Sequence, residues 1–504
     1  MDSLAPDPRR WWALVALSLA VLVVAIDVTV LNVALPELSA TLHPTGTQVL
    51  WIADSYSFVL AGLLVTAGSL GDRWGRKRLL LSGSLGFAAL SLAAAFAPSA
   101  STLILARAAM GVAGATLMPS TLALIRNTFR VPHERTVAIG IWSAMAAAGE
   151  AIGPIVAGVL LEHFWWGSVF LVNIPVCLLV VGIGWFALRE SRNPTPGPLD
   201  GLSVATSMVG LLAVVGAIKG LAANGLDDAV AWVLGIGGAA AVAWFVRRQL
   251  RLPIPMIDMR LFKRRAFSGA VVADVLSIFG LAGMLFYLSL EFQFVNGYSP
   301  LVTGVHLLPA MAGAVISAPT TGYLVRVTSR RTVVSGALLL AAIGAAALAP
   351  ALDGSMPVEV VSLALIGLGA GWSFTATAEA IMLSSPPERA GAASAVSETA
   401  YELGSALGIA ILGTVLSLSY RLTLSLPEGL PASAHARAED SISSALEMAA
   451  SLPPELSQQL ADAARSSFGH AVIITTFVTA CFLFAGACLA RMLLPATDPI
   501  PVDG

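Results

Sequence analysis

Residues 68–83 read GSLGDRWGRKRLLLSG, and residues 321–336 carry a fainter copy of that stretch, TGYLVRVTSRRTVVSG. Three positions recur at one constant offset: Arg73 as Arg326, Arg78 as Arg331 and Gly83 as Gly336. Each copy joins the second and third long apolar runs of a block of six. The repeat predicts two related six-span halves, an architecture found in transporters that bind their ligand between the halves.

The composition of the 504-residue chain excludes a soluble domain. Charged residues make up 12% of the chain, about half of the ~25% usual in soluble proteins. The hydrophobic set makes up 57%, and the mean hydropathy is +0.83. We therefore expect lipid to surround most of the protein. The net charge of −2 provides no basic field for nucleic acid.

Fourteen apolar runs are each long enough to cross a bilayer, which takes about 20 residues. They cover approximately residues 11–35, 48–70, 79–97, 102–125, 137–161, 167–188, 202–219, 230–246, 268–290, 301–325, 332–350, 358–383, 392–418 and 468–491. Of the 28 Lys and Arg residues, 23 lie near the termini and the even-numbered connections, and four lie on the opposite side. The positive-inside rule therefore predicts that both termini are cytoplasmic.

The spans divide the chain into three predicted regions. Residues 1–190 form an N-terminal six-helix bundle, residues 191–265 hold two inserted helices with cytoplasmic linkers, and residues 266–504 form a C-terminal six-helix bundle. An extracytoplasmic loop, residues 419–467, has two amphipathic stretches, at residues 442–449 and from Pro454 onward. A short helical cap and a disordered loop are both compatible with this pattern.

Several motifs occur in a fixed order along the chain. They are IDVTVLNVALP at residues 26–36, GDRWGRKR at 71–78, Arg107 with Gly111 and Gly114, Gly149-x-x-x-Gly153-Pro154-x-x-x-Gly158, and SETAYELG at 397–404. Together they resemble the major facilitator superfamily, and within it the fourteen-helix drug:proton antiporters that export quaternary ammonium compounds and ethidium. The resemblance covers nearly the whole chain. It implies an all-α integral membrane protein with the major facilitator fold, two six-helix bundles plus an inserted pair.

The chain departs from the family pattern at three positions. Glu150 stands where the fifth-helix motif usually has a small residue, and that motif's closing glycine pair reads Ala157-Gly158. Val325 stands where the second-half copy of the loop would match Asp72. The second copy of the loop is therefore expected to lack the first copy's aspartate chemistry.

Seven carboxylates lie inside apolar spans: Asp27, Asp54, Glu150, Asp274, Glu379, Glu398 and Glu402. A charge at the bilayer centre costs about 2.5–3.5 kcal/mol on insertion scales, so such residues normally face the protein interior or a wet cavity. A buried carboxylate that gives up its proton when a cation arrives can couple proton entry to cation export. We interpret the seven as candidate proton or substrate carboxylates.

Structural interpretations of these acids stay open. Asp27 can make a buried polar contact with Asn32 or with a neighbouring helix, and Asp54 can lie at a hydrated outer rim. Glu398 and Glu402 share one helix face, so repulsion favours one of them keeping a proton. Glu402 is the more central of the two, and Glu398 can be hydrated from the cytoplasm.

Arg107 is the clear cation inside a span. The resemblance implies that it takes part in proton transfer. A structural hydrogen bond to backbone carbonyls is the alternative, and an ion pair between Arg107 and Glu150 is a further possibility.

The loop after the second span carries a dense group of charges. The resemblance implies a role in cytoplasmic gating for Gly71, Asp72, Arg73, Gly75, Arg76, Arg78 and Arg135. We expect Asp72, together with the neighbouring cations, to form an ionic latch with Arg135 or with a helix N-terminus. The alternative is that these charges only set the topology.

Two further groups complete the candidate site. Gly149, Gly153, Pro154 and Gly158 predict close helix packing and a bend rather than ligand contact. Trp51, Tyr56, Phe58 and Trp142 offer a possible aromatic wall for a planar cation, with plain packing as the alternative.

The leading hypothesis is a proton-coupled antiporter in a bacterial inner membrane that exports lipophilic cations such as quaternary ammonium compounds, ethidium and acridine-like dyes by alternating access. The first alternative is an exporter of one specific antibiotic or metabolite with the same fold, and the second is a non-transporting membrane sensor or scaffold. No nucleotide-binding loop or metal-ligand spacing is present, so an enzyme is not expected. We expect the proton gradient instead of a cofactor, lipid and small molecules as partners, and a functional monomer. On this hypothesis Asp27→Asn is expressed normally but loses cation transport.

Overall fold

The computed structural model describes residues 8–44, 46–193, 200–224, 228–253, 255–352, 354–427, 430, 435, 438–439 and 441–496. All regular structure within these ranges is helical. The helices are α1 (Arg10–Leu42), α2 (Gly46–Trp74), α3 (Arg76–Ala95), α4 (Ala100–Thr128), α5 (Pro132–His163), α6 (Ser168–Leu171), α7 (Asn173–Ala187), α8 (Gly201–Asn224), α9 (Ala229–Arg251), α10 (Arg265–Leu290), α11 (Pro300–Val327), α12 (Arg330–Ala351), α13 (Met356–Leu383), α14 (Ala390–Thr423), α15 (Ile442–Ala449) and α16 (Pro454–Leu493).

Within the described residues, 12 helices are long and apolar enough to cross a membrane, and a thirteenth is added if the bent helix α11 is one span. Helices suit this environment because they satisfy every backbone polar group internally. The predicted all-α membrane protein is therefore confirmed. Helix α2 covers the predicted second span, but the count of fourteen spans stays a prediction.

Two hydrophobic cores lie side by side. One is built mainly from α1 to α5 and α7, around residues such as Leu17, Phe87 and Phe170. The other is built mainly from α10 to α14 and α16, around residues such as Tyr287 and Leu338. We call these helix groups the N-terminal and C-terminal bundles; the region boundaries predicted above stay predictions.

The two bundles meet along two seams. Helix α5 packs against α11 and α13, and α2 and α4 pack against α14. A glycine pair allows one of these contacts, because a Cβ on Gly391 would collide with the carbonyl oxygen of Gly68. We call the end of the bundles that carries Arg76, Arg126 and Arg135 the arginine-rich end, and the opposite end the far end.

The inserted helices α8 and α9 pack on each other and touch both bundles. Arg248 Nη2 on α9 donates to Asp200 Oδ1 before α8 at 2.9 Å, and Gln249 Nε2 donates to Ser203 Oγ at 2.6 Å. Helix α8 contacts α2 of one bundle and α14 of the other. Helix α8 therefore covers the seam between α2 and α14 from outside, and α9 packs on α8.

The far end contains the short amphipathic helix α15, which matches the first stretch predicted in the loop 419–467. The second stretch is not a separate cap helix, because Pro454 begins the 40-residue helix α16, which continues to Leu493. At 1.5 Å per residue α16 is about 60 Å long, roughly twice the hydrocarbon thickness. Its first turns therefore extend beyond the bilayer. Helix α11 is bent by 53° around Pro319.

Candidate functional site

Asp27 and Arg107 form an ion pair inside the N-terminal bundle. Arg107 Nη1 donates to Asp27 Oδ2, and the two side chains are 1% and 0% exposed. Asn173 Nδ2 donates to Asp27 Oδ1 at 2.8 Å and lies 3.2 Å from Ser91 Oγ. The Arg107 guanidinium also lies 4.6 Å from the centre of the Tyr56 ring. Asp27 is therefore neutralised by a buried cation, and removing either partner would leave an uncompensated charge.

This arrangement decides between the alternatives for Asp27 and Arg107. Arg107 pairs with Asp27, so the competing pair between Arg107 and Glu150 is wrong. The polar partner from a neighbouring helix is Asn173 on α7. The side chains of Asn32 and Asp54 lie outside the described part of the structure, so the predictions for these two residues are not placed.

A second cluster lies between the bundles. Tyr401 on α14 donates its hydroxyl hydrogen to Glu150 Oε1 on α5 at 2.9 Å. The Trp142 ring on α5 stacks on Phe374 of α13, with centroids 6.3 Å apart and an interplanar angle of 14°. Phe374 in turn meets Tyr401 edge to face at 5.7 Å. We call Trp142, Glu150, Phe374 and Tyr401 the inter-bundle cluster; it joins an acid to three aromatic rings from both bundles.

Two acids lie in the C-terminal bundle next to this cluster. Asp274 is fully buried and accepts hydrogen bonds from Thr377 Oγ1 at 2.6 Å and Ser397 Oγ at 3.4 Å. Glu398 is 2% exposed, and its Oε1 has no hydrogen-bond partner among the described residues. The hydrated position considered for Glu398 is therefore wrong. Glu402 follows one turn later on α14 and is less buried.

Glu379 has a different environment from the one its sequence position suggested. It lies near the arginine-rich end of α13, where Arg135 Nε at 3.3 Å, Thr136 Oγ1 at 2.8 Å and Arg330 Nη2 at 3.5 Å surround its carboxylate. Arg135 and Thr136 belong to the other bundle. Two cations already neutralise Glu379, so it serves as a link between the bundles and not as an unpaired carboxylate.

The segment predicted as a loop, residues 71–78, forms the junction of α2 and α3 and makes a second link at the same end. Asp72 accepts hydrogen bonds from the backbone N–H groups of Gly391 at 2.9 Å and Ala392 at 3.2 Å, the first turn of α14. A carboxylate there also complements the positive end of the helix dipole. Arg76 binds Asp72 Oδ1 at 2.6 Å and the carbonyl oxygen of Glu388 at 2.9 Å. The expected contact of Asp72 with a helix N-terminus is therefore present, whereas Arg135 pairs with Glu379.

The other residues of the loop take separate roles. Gly75 has φ of 111°, a conformation that favours glycine, and a Cβ there would lie 2.6 Å from the carboxylate carbon of Glu190, which would have to move. Gly71 packs against Leu79. Arg73 and Arg78 line a cleft away from the link between the bundles. The predicted gating group is thus divided, with Asp72, Arg76 and Arg135 joining the bundles.

The glycines of α5 pack against α1. A Cβ on Gly149 would lie 2.7 Å from Ala25 Cβ, and one on Gly153 would collide with Thr29 Oγ1. Gly158 has open space around its Cβ position, so close packing does not explain this residue. Pro154 lies within the continuous helix α5.

The expected aromatic wall does not form one surface. Tyr56 lies beneath Arg107 inside the N-terminal bundle, and Trp142 faces the other bundle. Trp51 is half-exposed beside Phe58, which approaches Gly216 of the inserted helix α8. Trp51 and Phe58 lie on one face of α2 and Tyr56 lies on another, because successive helical residues point in different directions. Trp142 alone of the four joins the inter-bundle cluster.

Sequence reasoning missed several residues that complete these clusters. Tyr401 lies within the quoted segment 397–404, three residues after Glu398 and so on the same face. Asn173 is a lone amide in an apolar run, the same signal that identified the acids. Phe374 carried no signal, because an apolar ring in an apolar helix is indistinguishable from core. In the described part of the chain, no three or more His, Cys, Asp or Glu residues are placed to hold a metal ion.

Comparison with known proteins places the chain in a family. Residues 17–409 match the model of the Major Facilitator Superfamily. The chain is 44% identical over 485 residues to the multidrug efflux pump LfrA of Mycolicibacterium smegmatis, covering 95% of each protein. It is 40% identical over 474 residues to the methyl viologen resistance protein SmvA of Salmonella typhimurium, covering 93% of this chain and 95% of the relative. The crystal structure of the human organic anion transporter MFSD10 (TETRAN) has the same fold, with a TM-score of 0.61 at 14% identity over 96% of this chain and 100% of that one. Together with the two packed helical bundles, these matches show that the chain belongs to the Major Facilitator Superfamily, a family of transporters and not of enzymes.

Proposed function

We propose that this protein is a proton-coupled antiporter that exports lipophilic, mostly cationic drugs. Two relatives that match it over nearly their whole length are a multidrug efflux pump and a methyl viologen resistance protein. Methyl viologen is an organic dication built from two aromatic rings. Relatives of this kind support drug efflux by this chain, and the acids between its bundles support a preference for cations.

The inter-bundle cluster is the observation that carries the proposal. A planar cation placed between the bundles would find the faces of Trp142 and Phe374 and the carboxylate of Glu150 within one site. Cation–π contact with a desolvated aromatic ring contributes about 2 kcal/mol. Tyr401, on the opposite bundle, holds the carboxylate when no cation is present.

Alternating access requires this contact to open and close. The hydrogen bond from Tyr401 to Glu150 joins α14 to α5, so it breaks when the two bundles rock apart. Glu150 then loses a partner and takes up either a proton or a cationic substrate. Competition between these two partners makes binding of the drug and binding of the proton mutually exclusive, which is the requirement for antiport.

Asp274 and Glu398 are the proposed proton carriers. Both are buried near α14, and no ion pair neutralises either of them within the described residues. An unpaired buried carboxylate is least costly when protonated. Each proton that enters gains about 2.3 kcal/mol per 100 mV of potential, and each positive charge exported loses the same amount. The potential therefore drives export of a cationic drug when more protons enter than positive charges leave. Asp27 has a fixed cation partner, so its role is to hold the N-terminal bundle together and to respond to movement of Arg107.

The topology follows from the positive charges. We place the arginine-rich end and both termini in the cytoplasm of a bacterial cell, with fourteen spans in the inner membrane and a monomer as the working unit. The contacts of Asp72, Arg76 and Glu379 then close the cytoplasmic end. Opening toward the cytoplasm requires these hydrogen bonds and ion pairs to separate together.

Transport of ethidium into everted vesicles tests the proposal. We expect energised uptake that collapses when a protonophore is added, because the proton gradient drives it. Glu150→Gln keeps an acceptor for Tyr401 but removes the charge, so we expect loss of ethidium uptake by more than tenfold. Glu162→Gln is the matched control, since Glu162 lies exposed on the same helix.

Two outcomes would contradict the proposal. Uptake that persists without a proton gradient would exclude antiport, and normal ethidium uptake by Glu150→Gln would remove the inter-bundle cluster from the substrate site.

A growth panel of cationic and neutral toxins separates the alternatives. Protection against a single neutral antibiotic would favour a specific exporter, and protection against none would favour a sensor or scaffold.

A further inference from the structure

A cleft at the arginine-rich end is lined largely by basic residues. It has a volume of about 400 Å³ and lies where α2 ends and α3 begins. Its lining residues are Arg73, Trp74, Arg78, Leu79, Ser82 and Arg192. Three of the six are arginines, and none of the six, all within the described residues, is acidic. Pockets of this volume are large enough for a small organic ligand.

Two neighbouring cations, Arg76 and Lys77, bind groups outside this cleft. Arg76 binds Asp72 and the carbonyl oxygens before α14. Lys77 donates to the carbonyl oxygens of Trp185 and Leu188, both at 2.7 Å. The basic residues of this segment therefore serve two places: Arg76 contacts the other bundle, and Arg73 and Arg78 line the cleft.

Arg78 is held only loosely by protein groups. Its Nε lies 3.8 Å from Glu190 Oε2, and its side chain is 76% exposed. Glu190 already accepts hydrogen bonds from the backbone N–H groups of Lys77 and Arg78, at 3.1 and 3.2 Å. Its carboxylate is therefore shared among several donors, and most of the Arg78 guanidinium faces water. An anionic ligand in the cleft would find these N–H donors accessible.

The cleft lies at the end of an apolar helix that is long enough to span a membrane, where lipid headgroups are expected. It opens at the first turn of α3, a membrane span that begins at Arg76. Trp74 in its wall is exposed, as are Trp12 and Trp185 on neighbouring helices at the same end. Exposed tryptophans at the ends of spans mark the boundary between hydrocarbon and water. The cleft also presents Leu79 beside its arginines, so it combines an apolar wall with a basic one.

We propose that this cleft binds the phosphate group of an anionic phospholipid, such as phosphatidylglycerol or cardiolipin. The guanidinium groups of Arg73, Arg78 and Arg192 bind the phosphate oxygens, and Trp74 and Leu79 contact the glycerol and upper acyl region. Basic pockets at the ends of spans are a known mode of headgroup recognition. A freely diffusing phosphate presents the same kind of oxygen acceptors, but it gains nothing from the apolar wall of the cleft.

The sequence repeat provides a matched control. Arg326 occupies the position of Arg73 in the second copy, but Val327 replaces Trp74 and Thr332 replaces Leu79. Arg326 is partly exposed at the same end of the molecule. It therefore carries the same charge at the matching position of the repeat, without counterparts of Trp74 and Leu79.

Native mass spectrometry of the full-length protein in detergent, titrated with phosphatidylglycerol, tests the proposal. We expect one tightly bound phosphatidylglycerol, weakened about fivefold by Arg73→Gln, Arg78→Gln or Arg192→Gln singly, and about a hundredfold by the triple variant. Arg326→Gln should bind as the unmodified protein does. Monodisperse elution of each variant in gel filtration checks that it is folded.

Three results would overturn the proposal. Equal affinity for phosphatidylcholine would show that the negative headgroup is not recognised. Unchanged affinity in the triple variant would show that the lipid binds elsewhere. Displacement of phosphatidylglycerol by millimolar inorganic phosphate would identify a site for free phosphate. The measurement reads equilibrium lipid binding and not transport, so its outcome is independent of the proposed substrate and of proton coupling.

Discussion

Replacing Asp27 by asparagine should destabilise the protein before it affects transport. The introduced amide can still accept a hydrogen bond from Arg107, and it can donate one to Asn173 Oδ1, which has no hydrogen-bond partner among the described residues. The hydrogen bonds are therefore replaceable, but the negative charge is not. Arg107, 1% exposed, would keep an uncompensated charge. Removing one partner of a buried ion pair costs about 3–5 kcal/mol.

The expected loss in the free energy of unfolding is large relative to the total stability. Folded domains are stable by only about 5–15 kcal/mol, so the loss should lower the yield of folded protein. The Tyr56 ring, 4.6 Å from the guanidinium, offsets part of it, by about 0.5–2 kcal/mol. The structure thus replaces the expectation from sequence that Asp27→Asn is expressed normally.

A double-mutant cycle isolates the charge effect. Thermal unfolding of purified protein in detergent would be compared for Asp27→Asn, Arg107→Gln, the double variant and the unmodified chain. Because the double variant leaves no unpaired charge, we expect it to be more stable than either single variant, with a coupling energy of about 3 kcal/mol. Additive losses, with the double variant the least stable of the four, would refute the reasoning.

Further predictions concern backbone contacts and pH. Gly391→Ala should lower transport and reduce the free energy of unfolding by about 1–3 kcal/mol, because its Cβ would collide with the backbone of Gly68. Gly336→Ala, which has open space around its Cβ position, should change the unfolding midpoint little. Equal effects of the two variants in the vesicle and unfolding assays would contradict this prediction. Gly75→Ala places a side chain at φ 111°, so we expect a loss of about 1–3 kcal/mol in unfolding, and a stability equal to the unmodified chain would count against strain. The hydrogen bond from Arg248 lowers the pKa of Asp200 below its ordinary value. The stability that this hydrogen bond contributes is complete above the unfolded-state pKa of about 3.9 and is lost only as pH falls through the lower folded-state pKa. The stability difference between the unmodified chain and Asp200→Asn should therefore stay constant from about pH 5 to pH 8, and a decline within that range would disprove the assignment.

The fold class was predictable because lipid imposes one simple constraint. Long apolar runs, a low charge content and the one-sided arginines depend only on local composition, and helices are the structures that satisfy their own backbone in hydrocarbon. The amphipathic helix at residues 442–449 follows from the same kind of periodicity. The second stretch is also helical from Pro454, but its continuation into the last span without a break was not predicted, because an amphipathic segment that continues into a span has the same local pattern as a separate helix.

The partners of the buried charges were not predictable. Asp27 and Glu379 carry the same signal in the sequence, an acid within an apolar run, yet one pairs with Arg107 inside a bundle and the other joins two arginines between bundles. Likewise, Arg73 and Arg76 are neighbours in one motif but face different surfaces. Composition and spacing determined that this chain is a helical membrane protein with acids in its interior. Which cation each acid meets depends on helix rotation and on contacts between residues far apart in the chain, and those contacts are set only when the bundles pack.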